Sequence, residues 1–246
     1  MALVYLFLPA FFPALLTAYA AIKYGVTVFW LAIDFFAAFA SIVSVALLQY
    51  AVHAFIDPGL RVQPVYMQIV VNSMITAALI EEGCKAAVFA LFMRRYLPAD
   101  SPSYGCVVKR AEGQGSMVRK TELNKMQRST RSMLLLAVCF GFVFSGFENL
   151  SYFIRFPNLW LLRFCTAAVL HGTLAVFYVR ILQAPTKRHV FAALITAVAL
   201  HGLYNIFVAL GGWFMLPAAA VTGITSFAVL RALAAADAGN EQLPSI

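Results

Sequence analysis

The sequence predicts an all-α, polytopic membrane protein with seven transmembrane helices in a single domain, 1–246, and two observations support this fold. The chain is 63% hydrophobic and 11% charged, with a mean hydropathy of +0.85, whereas soluble domains are about 45 to 50% apolar. Its apolar residues form seven runs close to the roughly 20 residues that a helix needs to cross a bilayer. The runs are 3–22, 27–55, 65–93, 132–153, 158–182, 189–208 and 213–234. They lack the alternation of a β-barrel wall, so each is predicted to be a helix.

Basic residues predict the orientation of the bundle. The stretch 94–131, between the third and fourth runs, contains nine of the 18 Lys and Arg residues. Cytoplasmic connections carry such an excess, so 94–131 is predicted to be a basic cytoplasmic loop. Alternation from this loop places the N-terminus outside and the C-terminus in the cytoplasm. The net charge of +8 is then explained by contact with anionic lipid headgroups, and nucleic acid is not an expected partner.

Ionisable and polar side chains interrupt four of the apolar runs at similar depth. They are Glu81, Glu82 and Lys85 in the third run, Glu148 in the fourth, His171 in the fifth, and His201 with Asn205 in the sixth. Counted from the basic residues at about 1.5 Å per residue, they lie roughly 14 to 26 Å into the membrane. A charge at the centre of a spanning helix costs about 2.5 to 3.5 kcal/mol. This layer is therefore predicted to be functional, whereas Asp34 in the second run is expected near the inner membrane interface.

Helical spacing orients the charged residues of the third run. Lys85 follows Glu82 by three residues and Glu81 by four, so its ammonium group can pair with either carboxylate. The two glutamates point about 100° apart, so one is expected to face a cavity while the other braces the bundle. Taken alone, each residue of the layer has a structural explanation, such as an ion pair between helices or a hydrogen-bonded interior histidine. A purely structural network of this size would be costly, which favours a functional role for the set.

Carboxylates and imidazoles beside water are suited to hydrolysis. A Glu can take a proton from water, a His can stabilise or donate, and the Asn205 amide can donate to a developing oxyanion. No serine or cysteine lies beside a base at helical spacing in this layer, which argues against a covalent acyl-enzyme. A metal site fits equally well: Glu148, His171 and His201 would form a His₂Glu ligand set, with Glu81 or Glu82 as base.

Four motifs within about 70–210 resemble those of the PrsW family of intramembrane proteases, which belongs with the CAAX prenyl endopeptidases and bacteriocin-processing enzymes in one superfamily. They are EEGCK at 81–85, the FxxxE pattern from Phe144 to Glu148 continued as ENLSYF, His171 with the glycine that follows it, and HGLYN at 201–205. The resemblance implies a multi-pass integral membrane protease, in the plasma membrane if the source is prokaryotic. Its expected partners are the lipid bilayer and a membrane-anchored protein substrate.

The same resemblance implies roles for individual residues. Glu81 or Glu82 would activate water, while His171 and His201 would bind a metal or polarise the scissile carbonyl, and Asn205 would support the oxyanion. Zn²⁺ is the expected ion if a metal takes part. Lys85 would keep one glutamate ionised. Glu148 stands where the CAAX enzymes carry a histidine, so their mechanism does not transfer unchanged.

Two other functions remain open at this point. Seven spans, an outside N-terminus and histidines in the fifth and sixth spans also resemble the multipass scaffold subunit of gamma-secretase, a non-proteolytic relative that works within a membrane protein complex. That scaffold lacks the paired glutamates and the glutamate of the fourth span, so an enzyme is favoured. A proton-coupled transporter would also place Glu, Lys and His at mid-membrane, but the sequence contains no obvious internal repeat.

Overall fold

The computed structural model describes residues 2–94, 116–155, 160–184 and 186–241, and these residues are helical apart from short connections. The α-helices, numbered among the described residues, are α1 (Ala2–Lys23), α2 (Val28–Leu60), α3 (Val65–Val71), α4 (Ile80–Met93), α5 (Ser116–Arg155), α6 (Trp160–Leu174), α7 (Val176–Gln183), α8 (Lys187–Leu210) and α9 (Met215–Glu241). A π-helical segment, Asn72–Leu79, joins α3 to α4, and a 3₁₀ turn, Gly212–Phe214, precedes α9. The predicted all-α class is confirmed.

Five described helical stretches are long and apolar enough to cross a membrane. They are Val28–Ile56, Thr130–Tyr152, Thr166–Gln183, Lys187–Leu210 and Gly212–Arg231. The first predicted run contains a shorter apolar helix, Phe11–Lys23. The third, 65–93, is divided by the π-helical segment into pieces of 7, 8 and 14 residues. Five candidate spans are therefore found, while the total of seven and the orientation of the termini stay predictions.

Helix α5 extends well beyond the apolar run from which it was predicted. Residues 95–115 of the predicted loop 94–131 lie outside the described part of the chain, but from Ser116 onward the backbone is helical and continues unbroken to Arg155. Residues 116–131 are rich in Lys, Arg, Gln, Glu and Met, which have high helix propensity despite being largely polar. The second part of the predicted loop is thus an extension of the fourth span.

The same helix forms the centre of the bundle. It packs against α1, α2, α6, α7 and α9. Its apolar stretch is 72% buried, whereas the corresponding stretches of α2, α8 and α9 are each 28% buried. Protein therefore leaves most of the surface of the outer helices uncovered, whereas side chains on the inner face of α5 are shielded by protein on several sides.

Two glycines allow the helices around the functional layer to approach one another closely. A Cβ atom at Gly141 of α5 would clash with the backbone of His171 on α6, and one at Gly202 of α8 would clash with Met74 in the π-helical segment. Small residues permit such backbone contacts between membrane helices. These contacts bring α6 and α8, which carry the two histidines, against the neighbouring helices.

Asp34 lies near the start of α2 and is fully buried. Its surroundings are the apolar layer between α1, α2 and α5, which includes Ala37, Ala38 and Cys139. The sequence placed Asp34 at the membrane interface because it is close to a helix end. Packing of the neighbouring helices, which the position along the chain does not reveal, removes it from solvent.

Candidate active site

The charged residues predicted from the sequence meet in one buried cluster between α4, α5, α6 and α8. Glu82 and Lys85 have no exposed surface, and Glu81, His171 and His201 expose between 2% and 6%. Residue Glu148 is more accessible, since 15% of its side chain is exposed. The cluster consists of Glu81, Glu82, Lys85, Glu148, His171 and His201.

Lys85 connects the carboxylates of α4 to the imidazole of α6. Its Nζ lies 2.6 Å from Glu82 Oε1 and 3.8 Å from Glu81 Oε2, and 3.0 Å from His171 Nδ1. The ammonium group also lies 4.4 Å from the centroid of the Phe144 ring, a favourable cation–π position. Of the two pairings that the sequence allows, the close one is with Glu82.

His171 is held at both ring nitrogens. Nδ1 faces the Lys85 ammonium, while Nε2 lies 2.8 Å from Glu148 Oε2. Since an ammonium group can only donate, Nδ1 accepts from Lys85, and Nε2–H then donates to Glu148. These two partners assign the tautomer and join Glu148 on α5 to the cluster.

His201 presents one nitrogen to a carboxylate and the other to the interior of the cluster. Nδ1 lies 2.8 Å from Glu82 Oε1, so it donates to that oxygen and leaves the lone pair on Nε2. The Nε2 atom lies 3.8 Å from Glu81 Oε2, beyond hydrogen-bond distance. The His201 and His171 rings are 5.0 Å apart and nearly perpendicular, at 84°. A carboxylate that fixes the second ring nitrogen is a common feature of metal-binding histidines.

The adjacent glutamates have unequal surroundings. Glu82 Oε1 accepts from Lys85 and His201, and its Oε2 accepts from the Tyr178 hydroxyl at 2.6 Å. By contrast, Glu81 Oε1 accepts from Gln49 at 3.3 Å, while its Oε2 is buried without a hydrogen-bond partner among the described residues. Glu82 is therefore saturated with donors, whereas Glu81 retains one oxygen for another partner.

Three side chains show where sequence reasoning and the hydrogen-bond network differ. Tyr178 and Gln49 contact the glutamates but were not predicted, although Tyr178 follows His171 by seven residues, or about two helical turns. Gln49 is a polar residue within the candidate span Val28–Ile56. Asn205, which was predicted, lies one turn after His201 and is half-buried. Within the described part of the chain its side chain takes no part in the cluster's hydrogen bonds.

Glu81, His171 and His201 form a buried group that could hold a metal ion, because one ligand atom from each lies within 4.8 Å of the others. Two of the three residues fit such an ion as they stand: Glu81 Oε2 has no hydrogen-bond partner among the described residues, and His201 Nε2 is turned toward it. The Nδ1 lone pair of His171 faces the Lys85 ammonium group, so His171 would exchange that hydrogen bond for the ion. Two histidines and a glutamate also form a recurrent zinc ligand set. Glu148, the third ligand predicted from the sequence, is hydrogen-bonded to His171 beside this group.

Comparison with known proteins gives one match. The model of a family described as PrsW family intramembrane metalloprotease matches residues 26–234 of the chain. The matched range contains every residue of the cluster as well as Gln49 and Tyr178. No curated protein matches the chain, and no solved structure does.

Proposed function

Because the chain belongs to the PrsW family of intramembrane metalloproteases, we propose that it hydrolyses peptide bonds of membrane-anchored proteins at the buried cluster. Family membership supports an integral membrane protease that meets its substrates in a lipid environment. The main support for this proposal is the difference between the two glutamates. Glu82 accepts three hydrogen bonds, while Glu81 Oε2 has no hydrogen-bond partner among the described residues and lies 3.8 Å from both His201 Nε2 and Lys85 Nζ.

In this proposal Glu81, His171 and His201 hold the metal ion, with Zn²⁺ the expected element, and His171 would bind it through Nδ1 in place of the hydrogen bond from Lys85. When bound, a zinc ion supplies a Lewis acid and lowers the pKa of its water ligand. Glu82 acts as an anchor that fixes the His201 ring through Nδ1 and holds the Lys85 ammonium group. Such partners behind the ligands orient them, and their loss typically weakens metal binding about 10- to 100-fold.

Glu148 is the proposed proton carrier. Its carboxylate is the most exposed in the cluster and lies beside a proposed ligand, His171, without belonging to the Glu81, His171 and His201 group. The carboxylate takes a proton from water as the water oxygen attacks the scissile carbonyl carbon. It returns that proton to the amine nitrogen as the C–N bond breaks, so the reaction leaves Glu148 unchanged.

The sequence alone suggested the opposite roles, with Glu148 as metal ligand and Glu81 or Glu82 as the base that activates water. Two variants distinguish the assignments. We expect Glu81→Gln to lose both metal and cleavage, and Glu148→Gln to keep the metal but lose cleavage. The measurements are elemental mass spectrometry of detergent-purified protein and cleavage of a membrane-anchored reporter. Asp34→Asn, which neutralises a buried carboxyl outside the cluster, is the matched control and should retain about one metal per chain.

Each other outcome has a defined meaning. Metal retained in Glu81→Gln and lost in Glu148→Gln would reverse the two roles. Active wild-type protein without metal, purified in the absence of chelators, would show that the carboxylates of the cluster activate water without a metal ion. Full cleavage by both glutamine variants would overturn the proposal. A wild-type chain that cleaves no reporter but copurifies with a membrane protease would favour the scaffold function.

A further inference from the structure

Gln49 places a carboxamide within a largely apolar stretch of α2. It lies within the candidate span Val28–Ile56 and is half-buried. Water is scarce at such a position, so the amide hydrogens need protein acceptors. Both of them find one: Nε2 lies 3.1 Å from the carbonyl oxygen of Thr76 and 3.3 Å from Glu81 Oε1.

The orientation of this amide is fixed by its two partners. A carbonyl oxygen and a carboxylate oxygen are both acceptors, so only the NH₂ group can face them. The reverse orientation would set the Gln49 oxygen against two other oxygens. The Gln49 amide group therefore donates two hydrogen bonds, which join α2 to the backbone at Thr76 and to the side chain of Glu81.

The backbone acceptor belongs to an unusual part of the chain. Thr76 lies in the π-helical segment Asn72–Leu79, which ends two residues before Glu81. In a π-helix the backbone hydrogen bonds join residues five apart, whereas in an α-helix they join residues four apart. Such segments are frequent at functional sites. The bond from Gln49 to the Thr76 carbonyl thus ties this segment to α2 directly before the carboxylate that Gln49 also binds.

From this geometry we infer that Gln49 is a positioning residue for Glu81, an inference that rests on the proposed function. By holding Oε1, the amide leaves Oε2 as the oxygen that faces His201, at 3.8 Å from Nε2. Without the amide, the terminal torsion of Glu81, for which the energy wells are broad, is held only by the 3.8 Å contacts of Oε2 with Lys85 Nζ and His201 Nε2. Gln49 thus selects the carboxylate oxygen that binds the metal, although it touches neither the metal nor the substrate.

A double-mutant cycle tests this inference in the full-length protein. Metal affinity is measured by chelator competition for wild type, Gln49→Leu, Glu81→Asp and the double variant. We expect Gln49→Leu to weaken zinc binding by about tenfold. Aspartate is one methylene shorter and falls out of reach of the amide, so adding Gln49→Leu to Glu81→Asp should change affinity by less than about twofold. In the cleavage assay, Gln49→Leu should lower kcat and leave KM unchanged.

Gln68→Leu is the matched control, since Gln68 also donates its amide to a backbone carbonyl, that of Gln63 at 2.8 Å. It should alter neither zinc affinity nor kcat. An undiminished effect of Gln49→Leu in the Glu81→Asp background would show that Gln49 acts elsewhere and would overturn the inference. So would a fall in melting temperature with zinc affinity and kcat unchanged, because that pattern describes packing alone.

The failure of the inference is distinguishable from the failure of the proposed function. If wild-type protein cleaves without metal, the same cycle is measured in kcat, and non-additivity again supports positioning of Glu81. If wild-type protein neither binds metal nor cleaves, the proposed function fails, and the positioning role is overturned with it. If the effects of the two substitutions add in both kcat and metal affinity, Gln49 does not position Glu81, and the inference is wrong. The proposed protease function is unaffected by that result.

Discussion

Two regions of the bundle bury carboxyl groups, and they do so in different ways. Asp34 lies in the apolar layer of α1, α2 and α5, where its polar neighbour on α5 is the Cys139 thiol, a weak donor. Neither of its oxygens has a hydrogen-bond partner of good geometry among the described residues. In the cluster, by contrast, Glu82 has three donors and Glu81 faces two histidines.

This difference shows that burial of a carboxyl group does not by itself identify a reactive site. The cluster is distinguished by convergence: ionisable side chains from α4, α5, α6 and α8 meet within hydrogen-bond distance of one another. The layer around Asp34 is apolar apart from the Cys139 thiol. Stability and reactivity should therefore respond differently to substitution in the two regions.

The largest expected effect follows from removing the cation of the cluster. Lys85→Met keeps the length of the side chain but leaves the Glu82 carboxylate without its ammonium partner, at 2.6 Å. Breaking a buried ion pair from one side costs about 3 to 5 kcal/mol. We expect a loss of that size in the free energy of unfolding, measured by denaturant titration in micelles, together with loss of cleavage.

Lys187→Met provides the comparison for this variant, because Lys187 is exposed at the start of α8. An exposed substitution of this kind should change stability by no more than about 0.5 kcal/mol. Combining Lys85→Met with Glu82→Leu should recover part of the stability, since both members of the pair are then apolar. Equal stability of Lys85→Met and wild type would mean that the cluster is not held by this pair.

A smaller loss in the free energy of unfolding is expected from Tyr178→Phe, which removes only the hydroxyl that donates to Glu82 Oε2 at 2.6 Å. A hydrogen bond to a charged group contributes about 1.5 to 3 kcal/mol. The metal content should be retained while kcat falls, because Glu82 holds His201 less firmly. Tyr204→Phe is matched in burial and removes a 2.6 Å bond between neutral hydroxyls of Tyr204 and Thr166. If both variants reduce kcat alike, the Tyr178 hydroxyl has no special relation to the cluster.

The sequence predicted the layer of charged residues because charged side chains within apolar runs are conspicuous. Glu148 and His171 stand out in this way although 23 residues separate them along the chain. The division of roles between Glu81 and Glu82 could not be predicted, because it depends on donors from distant helices. Tyr178 and Gln49 were missed for a related reason: tyrosine and glutamine are common in membrane helices, and only their hydrogen bonds to Glu82 and Glu81 connect them to the cluster.

Helix boundaries were predicted less completely than the site. Hydropathy identified the run 65–93, but it reports side-chain polarity and carries no information on the shifted backbone pairing of Asn72–Leu79. It also ended the fourth run near 132, where polar residues begin, although helix α5 continues back to Ser116. Hydropathy locates the membrane, and helix propensity together with packing decides where each helix ends.

The smallest expected effect belongs to the apolar layer. A buried carboxyl group without hydrogen bonds lowers stability, so Asp34→Leu, which replaces it with an apolar side chain, should raise the free energy of unfolding by about 1 kcal/mol. Cleavage should stay within about twofold of wild type, because among the described residues no hydrogen bond joins the Asp34 carboxyl group to the cluster. Denaturant titration and the reporter assay on the same preparation measure both quantities. A stable Asp34→Leu variant that no longer cleaves would give Asp34 a part in the reaction, and convergence of ionisable groups would then no longer separate the two regions.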